Sequence, residues 1–162
     1  MAGDAFMKVS NGIDGESTDD QHKKWIEIES ISTGVHMPVN TASTSGARTT
    51  ERANFSDITI TKAVDRASPK LKESCYKGIH LDEVTIELCR GTGDKTKYLE
   101  YTLKDVVVSS YSLGGSSGSL ATESVSLNPG EMKMKYIPTD PEKGGAKGNV
   151  EVGWSLIKNA TA

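Results

Sequence analysis

Apolar and polar residues alternate with a period of two along much of this chain. Val84, Ile86 and Leu88 alternate with Glu83, Thr85 and Glu87. Met132, Met134 and Tyr136 alternate with Lys133 and Lys135, and Val150, Val152, Trp154 and Leu156 with Glu151, Gly153 and Ser155. Successive side chains of a strand point to opposite faces, so each run predicts a strand with its apolar set buried and its polar set wet. Weaker runs predict strands over 6–9, 25–32, 55–62 and 120–127. Residues 97–113 are too long for one ordinary strand. Leu99, Tyr101 and Leu103 share one parity and Val106 and Val108 take the other, so a bend or bulge is expected near Lys104-Asp105.

Turn chemistry divides these runs. Residues 91–95 (GTGDK) read as a hairpin loop, Asn128-Pro129-Gly130-Glu131 as a tight turn, and 138–148 as an exposed loop. One short helix is predicted over about 69–77, with Ser68 as N-cap, Pro69 at the first helical position, Gly78 as the stop, and Leu71 and Cys75 on its buried face. Residues 35–54 have a Ser/Thr/Gly-rich middle and no periodicity. A loop of that length inside a compact domain suggests a segment that reaches out to a partner. About seven or eight strands and one helix predict a mainly β fold: a barrel or sandwich of two antiparallel sheets, in one domain spanning 1–162, with a short helix over about 69–77 and a long extended loop over about 35–54.

Composition supports that class. Serine, threonine and glycine supply 49 of 162 residues, which suits wet strands and turns better than a helical bundle. Nineteen basic residues against 22 acidic ones leave a net charge of -3, so no field of either sign suggests nucleic acid or an anionic membrane as a partner. No apolar run is long enough to span a bilayer, and the N-terminal residues lack the basic and apolar regions of a signal peptide. Two cysteines are too few for a disulfide scaffold and are not spaced for zinc. Manufacture in a reducing cytosol is expected.

Most motifs that look chemical are better read as structure. Gly114-Gly115-Ser116-Ser117-Gly118 matches a G-x-S-x-G elbow, but a strand and not a helix is expected after it. Gly93-Asp94-Lys95-Thr96 lacks the spacing of a phosphate loop. His22, His36 and His80 lie far apart and read as surface or turn residues, with no metal site expected. Cys75 and Cys89 read as small core residues. Asp65 suits a helix start, and neither it nor Lys62 is assigned any chemistry.

The run Ile60-Thr61-Lys62-Ala63-Val64-Asp65-Arg66-Ala67-Ser68-Pro69-Lys70-Leu71 resembles the T-K-x-x-D-x-x-S/T-P-x-L stretch of the haemolysin-coregulated protein (Hcp) family. Gly15-Glu16-Ser17, residues 103–115 (LKDVVVSSYSLGG), residues 123–128 (ESVSLN) and Gly153-Trp154 resemble further pieces of that family in the same order, so the likeness covers essentially the whole chain.

The resemblance implies the inner-tube subunit of the bacterial type VI secretion system. Its fold would be a barrel of two sheets flanked by a helix. Six copies would form a homohexameric ring, and rings would stack into a tube that a contractile sheath expels with a spike protein at its tip. The ring lumen would hold and chaperone secreted effectors. The subunit would carry no cofactor and no catalytic activity, and would leave the bacterial cytoplasm without a signal peptide. The chain ends shortly after Trp154, so no C-terminal toxin domain is expected. By resemblance, the strand containing Ser30 and Ser32 contributes to the lumen wall. The long loop, with Val35, His36, Met37, Pro38, Val39, Arg48 and Arg52, is expected to cross to a neighbouring subunit, because head-to-tail contacts close into rings. Alternatives are a small serine hydrolase using Ser116 and a monomeric carbohydrate-binding β-sandwich. The second is weakened by the shortage of tryptophan and phenylalanine, two of each.

Overall fold

The computed structural model describes residues 3–40, 49–91, 95–138 and 148–162. In chain order the strands are β1 (Asp4–Val9), β2 (Ile26–Ile28), β3 (Ser30–Ser32), β4 (Val35–His36), β5 (Val39–Asn40), β6 (Thr49–Thr50), β7 (Asn54–Phe55) and β8 (Ile58–Ala63). Helix α1 (Ser68–Lys77) follows, then β9 (His80–Cys89), β10 (Lys97–Gly114), β11 (Thr122–Tyr136), β12 (Val150–Ser155) and β13 (Ala160–Thr161).

Two long strands organise the rest. β10 and β11 pair antiparallel from Leu99↔Tyr136 to Gly114↔Thr122. One layer extends from β10 through β9 and β1 to β2. β11 changes partner midway: Thr122–Leu127 pairs with β8, which pairs with β3, whereas Glu131–Tyr136 pairs with β12. The chain passes between β2 and β3 through Glu29, whose N–H donates to the Thr61 carbonyl at 2.8 Å. Two antiparallel layers result, barrel-like in outline but with the ladder interrupted at Glu29. Met7, Ile26, Ile60, Leu71, Ile86, Leu103 and Val125 fill the space between them and are fully buried.

The expected bend is present and involves three strands. Leu103 and Val106 are both buried while Lys104 and Asp105 between them are exposed, and Leu81 and Val84 repeat the pattern around Asp82 and Glu83. Registry is unchanged across the break (Leu103↔Val84, Val106↔Leu81), so the two strands bend together. Asp105 absorbs the turn at φ 51°. On the third strand Gly130 packs against Asp105; a Cβ there would lie 2.7 Å from Ile157 Cδ1. Further along, the β10–β11 register does shift, between Val108 and Ser110.

Several expectations are corrected. Asn128 to Glu131 makes no turn, because β11 runs through it. Pro129 sits where β11 changes its second neighbour, between the β8 ladder, which ends at Leu127, and the β12 ladder, which begins at Glu131, and lies opposite Val106 at the bend of β10. Ser68 is not the helix cap. Ala67 holds that position without a side-chain bond, Asp65 Oδ1 accepts from the Ala67 N–H at 2.9 Å, and the Ser68 hydroxyl is drawn inward to Glu123 at 2.7 Å. Gly78 does close the helix, in the left-handed region at φ 63°. Residues 35–40 and 49–55 are paired and not loose: β4 pairs with β7 and β5 with β6, forming a two-step hairpin arm. His22 is buried at 3% exposure and not a surface residue. Residues 41–48, 92–94 and 139–147, which include the middle of the 35–54 segment and parts of the loops expected at 91–95 and 138–148, lie outside the described residues.

Candidate functional site

Three features stand out as surfaces with work to do. The first is apolar. Strand registry stacks three rungs across β10, β11 and β12: Leu103–Met132–Trp154, Tyr101–Met134–Val152 and Leu99–Tyr136–Val150. All lie on the core-facing side, because Leu103 is fully buried. Burial then fades outward along a rung, from Tyr101 at 8% exposed to Met134 at 37% and Val152 at 65%. This is a core face that continues past its cover. The alternation in 132–136 and 150–154 therefore predicts the strands correctly but not the burial of their apolar sets. A groove of about 460 Å³ runs between this face and the arm base, lined by Val35, Phe55, Tyr101, Met134, Val152 and Trp154 among others. Exposed apolar patches of this kind are common where proteins or ligands dock.

The second is the hairpin arm. Val35, Met37 and Val39 all present apolar side chains to solvent. Pro38 is half-buried and accepts from the Glu51 N–H. The His36 ring meets Asn54 Nδ2 at 3.2 Å across the arm. Arg52 is turned back onto its own chain, where Nη2 donates to the Leu156 carbonyl at 2.9 Å. Arg48 lies outside the described residues.

The third is polar. On the outward side of β3, β8, β11 and β10 two rungs of hydroxyls cross four strands: Ser30–Thr61–Ser124–Ser112 and Ser32–Thr59–Ser126–Ser110. Ser30 and Thr61 share a hydrogen bond at 2.5 Å, and Thr59 and Ser126 one at 3.0 Å. The intervening rung, Ile31–Ile60–Val125–Tyr111, points to the core. Sequence reasoning singled out Ser30 and Ser32 and missed the other six. The signal was present in Ile58-Thr59-Ile60-Thr61 and Ser124-Val125-Ser126-Leu127, where every second residue is a small hydroxyl.

Behind this wall sits a buried ionic knot. Lys62 and Glu123 pair directly with both side chains out of solvent, and Lys62 also donates to Asp65 at 2.8 Å. Tyr111 donates its hydroxyl to Glu123, and burial together with that carboxylate pushes the phenol up to about 12. The knot fixes α1 to β8 and β11, which carry half of the hydroxyl rungs. Ser116 stands on an exposed turn whose hydroxyl meets only Ser119, at 3.4 Å, and β11 follows it, so the strand–turn–helix geometry of an elbow nucleophile is not built around it.

The profile of the family described as "Type VI secretion system effector, Hcp" matches residues 6–136. Protein hcp1 of Pseudomonas aeruginosa strain PAO1 is 32% identical over 164 residues, with all of both chains covered. The solved structure of a type six secretion system protein superposes with a TM-score of 0.92 at 34% identity, covering 99% of this chain and 100% of the other. Hcp1 from Salmonella typhimurium superposes with a TM-score of 0.81 at 28% identity, with both chains fully covered.

Proposed function

Because the chain belongs to the Hcp family of type VI secretion proteins, we propose that it is a tube subunit: copies join head to tail into a hexameric ring, and rings stack into a tube. The observation that carries this reading is the bare apolar face on β11 and β12 beside an arm whose apolar side chains are also exposed. The two patches differ in shape and lie on one chain. Such a pair makes a heterologous contact, which closes into a ring when the rotation between copies allows. The arm, with Val35, Met37 and Val39, covers part of a neighbouring subunit, whose surface in turn supplies the missing cover for Met134 and Val152.

In this assembly the hydroxyl rungs face the lumen. A wall of serine and threonine offers hydrogen bonds but little apolar adhesion, so small effector proteins are held loosely and pass. Ser30 and Ser32 belong to it. A contractile sheath and a spike protein are the further partners, and the subunit leaves the bacterial cytoplasm through this machine. No helix among the described residues is long and apolar enough to cross a membrane. Electron micrographs of the purified chain test the proposal: annular particles with an open centre support it, and a field of compact particles without a hole refutes it.

A further inference from the structure

We propose that His22, Glu87 and Cys89 form a binding site for a zinc-class divalent cation. A ring nitrogen of His22, a Glu87 carboxylate oxygen and Cys89 Sγ lie within 4.8 Å of one another, and all three residues are buried. Imidazole, carboxylate and thiolate together are a borderline-soft donor set that suits zinc or cobalt and not magnesium or calcium. Ligand atoms on a tetrahedral zinc stand roughly 3.3–3.8 Å apart, given bonds of about 2.0–2.3 Å. With the ring held in place, rotation of the Glu87 and Cys89 side chains would bring the three atoms to that spacing.

The surroundings are those of a metal-ligating histidine. Nδ1 of His22 is held by Asp19 Oδ2 at 2.7 Å, which fixes the ring and leaves Nε2 directed at Glu87 Oε2, also at 2.7 Å. A carboxylate behind the imidazole orients metal-bound histidines in this way. Phe6 stacks on the ring at 4.2 Å and Trp25 meets it edge-on at 4.8 Å, so the ring has little freedom to turn away. Lys97 donates to the other Glu87 oxygen, Oε1, at 3.2 Å and leaves Oε2 for the ion. A cleft lined by Gln21, His22, Trp25, Glu87, Thr96 and Lys97 leads in from solvent and has room for a water as fourth ligand. Binding displaces two protons to solvent, one from the Cys89 thiol and one shared between Nε2 and Glu87. The ion then ties the segment around Asp19 and His22 to the end of β9, at the base of the β2 strand. The sequence gives little warning of this site, since His22 and Glu87 are 65 residues apart.

Tag-free full-length protein, stripped with a chelator, is titrated with zinc by calorimetry and with cobalt by absorption spectroscopy. The expected result is one ion per chain, with a thiolate-to-cobalt charge-transfer band in the near ultraviolet. Cys89→Ala should remove that band, and Cys89→Ala and His22→Gln should each weaken zinc binding by at least about 10-fold, with Asp19→Asn weakening it by about 10- to 100-fold. If His22→Gln fails to fold, the wild-type cobalt spectrum and Cys89→Ala still decide. Cobalt bound without a thiolate band, zinc affinity unchanged in Cys89→Ala, or no uptake at equimolar ion would each overturn the proposal.

Discussion

Lys62 and Glu123 form an ion pair with neither side chain reaching solvent. The pair is completed by Asp65, Ser68 and Tyr111, so almost every donor and acceptor in the knot has a partner. Removing one partner leaves the other charge buried and alone. Glu123→Ala should therefore lower stability by about 3–5 kcal/mol, read from urea unfolding. The double variant Lys62→Met with Glu123→Leu should lose less than either single change, because the two fully buried charges leave together and Asp65, which loses Lys62, keeps the Ala67 N–H and is partly exposed. A double variant less stable than both singles would show that the knot is not an ion pair in energetic terms.

Gly15 approaches the start of β2 so closely that a Cβ would stand 2.3 Å from the Trp25 carbonyl oxygen and 2.6 Å from Ile26 Cα. Both are backbone atoms, which cannot swing aside. Gly15→Ala should cost about 1–3 kcal/mol, visible as a lower thermal midpoint. Gly12→Ala offers a contrast, since nothing lies within 4 Å of its Cβ; any loss there would come from its φ of 71°.

Acid should weaken the fold through Asp19. The Lys95 ammonium and then the His22 ring hold its carboxyl down to about 2. The unfolded chain takes up that proton near pH 4. Stability is thus fully present above about pH 4 and is lost as pH falls toward 2. In Asp19→Asn the slope of stability against pH over that window should flatten, as measured by urea unfolding at a series of pH values. An unchanged slope would mean that other carboxylates set the acid limit.

The hydroxyl wall gives a functional prediction. Ser32 is exposed and projects from the end of its rung. Ser32→Gln should leave assembly intact, because no core residue is touched, yet reduce retention of small effectors in pull-down assays. Normal retention by assembled Ser32→Gln would remove this residue from the lumen.

Elements whose residues answer to one neighbour were legible in the sequence. The helix stop at Gly78, the strands at 84–88 and the parity change at Lys104-Asp105 each follow from a local rule. The misreadings share a physical cause: the partner lay far off in sequence. Pro129 reads as a turn until β8 ends before it, β12 begins after it and β10 runs alongside. His22 reads as a surface residue until Phe6, Trp25 and Glu87 are brought around it. Lys62 carries no assigned role until Glu123 arrives beside it. Val150 and Val152 alternate like core residues and do face the core side, but the fold leaves that edge uncovered. Family likeness, carried by residues 60–71 above all, supplied the expectation of what covers it.

The account rests on this chain filling its bare apolar edge with another copy of itself. Light scattering during gel filtration measures that directly, on the wild type beside Val152→Lys. The wild type should run at about six times 17.3 kDa. Val152→Lys should run as a folded single chain, with the circular dichroism of the wild type. A wild type of 17.3 kDa at micromolar concentration, or a Val152→Lys variant that still assembles fully, would contradict the account.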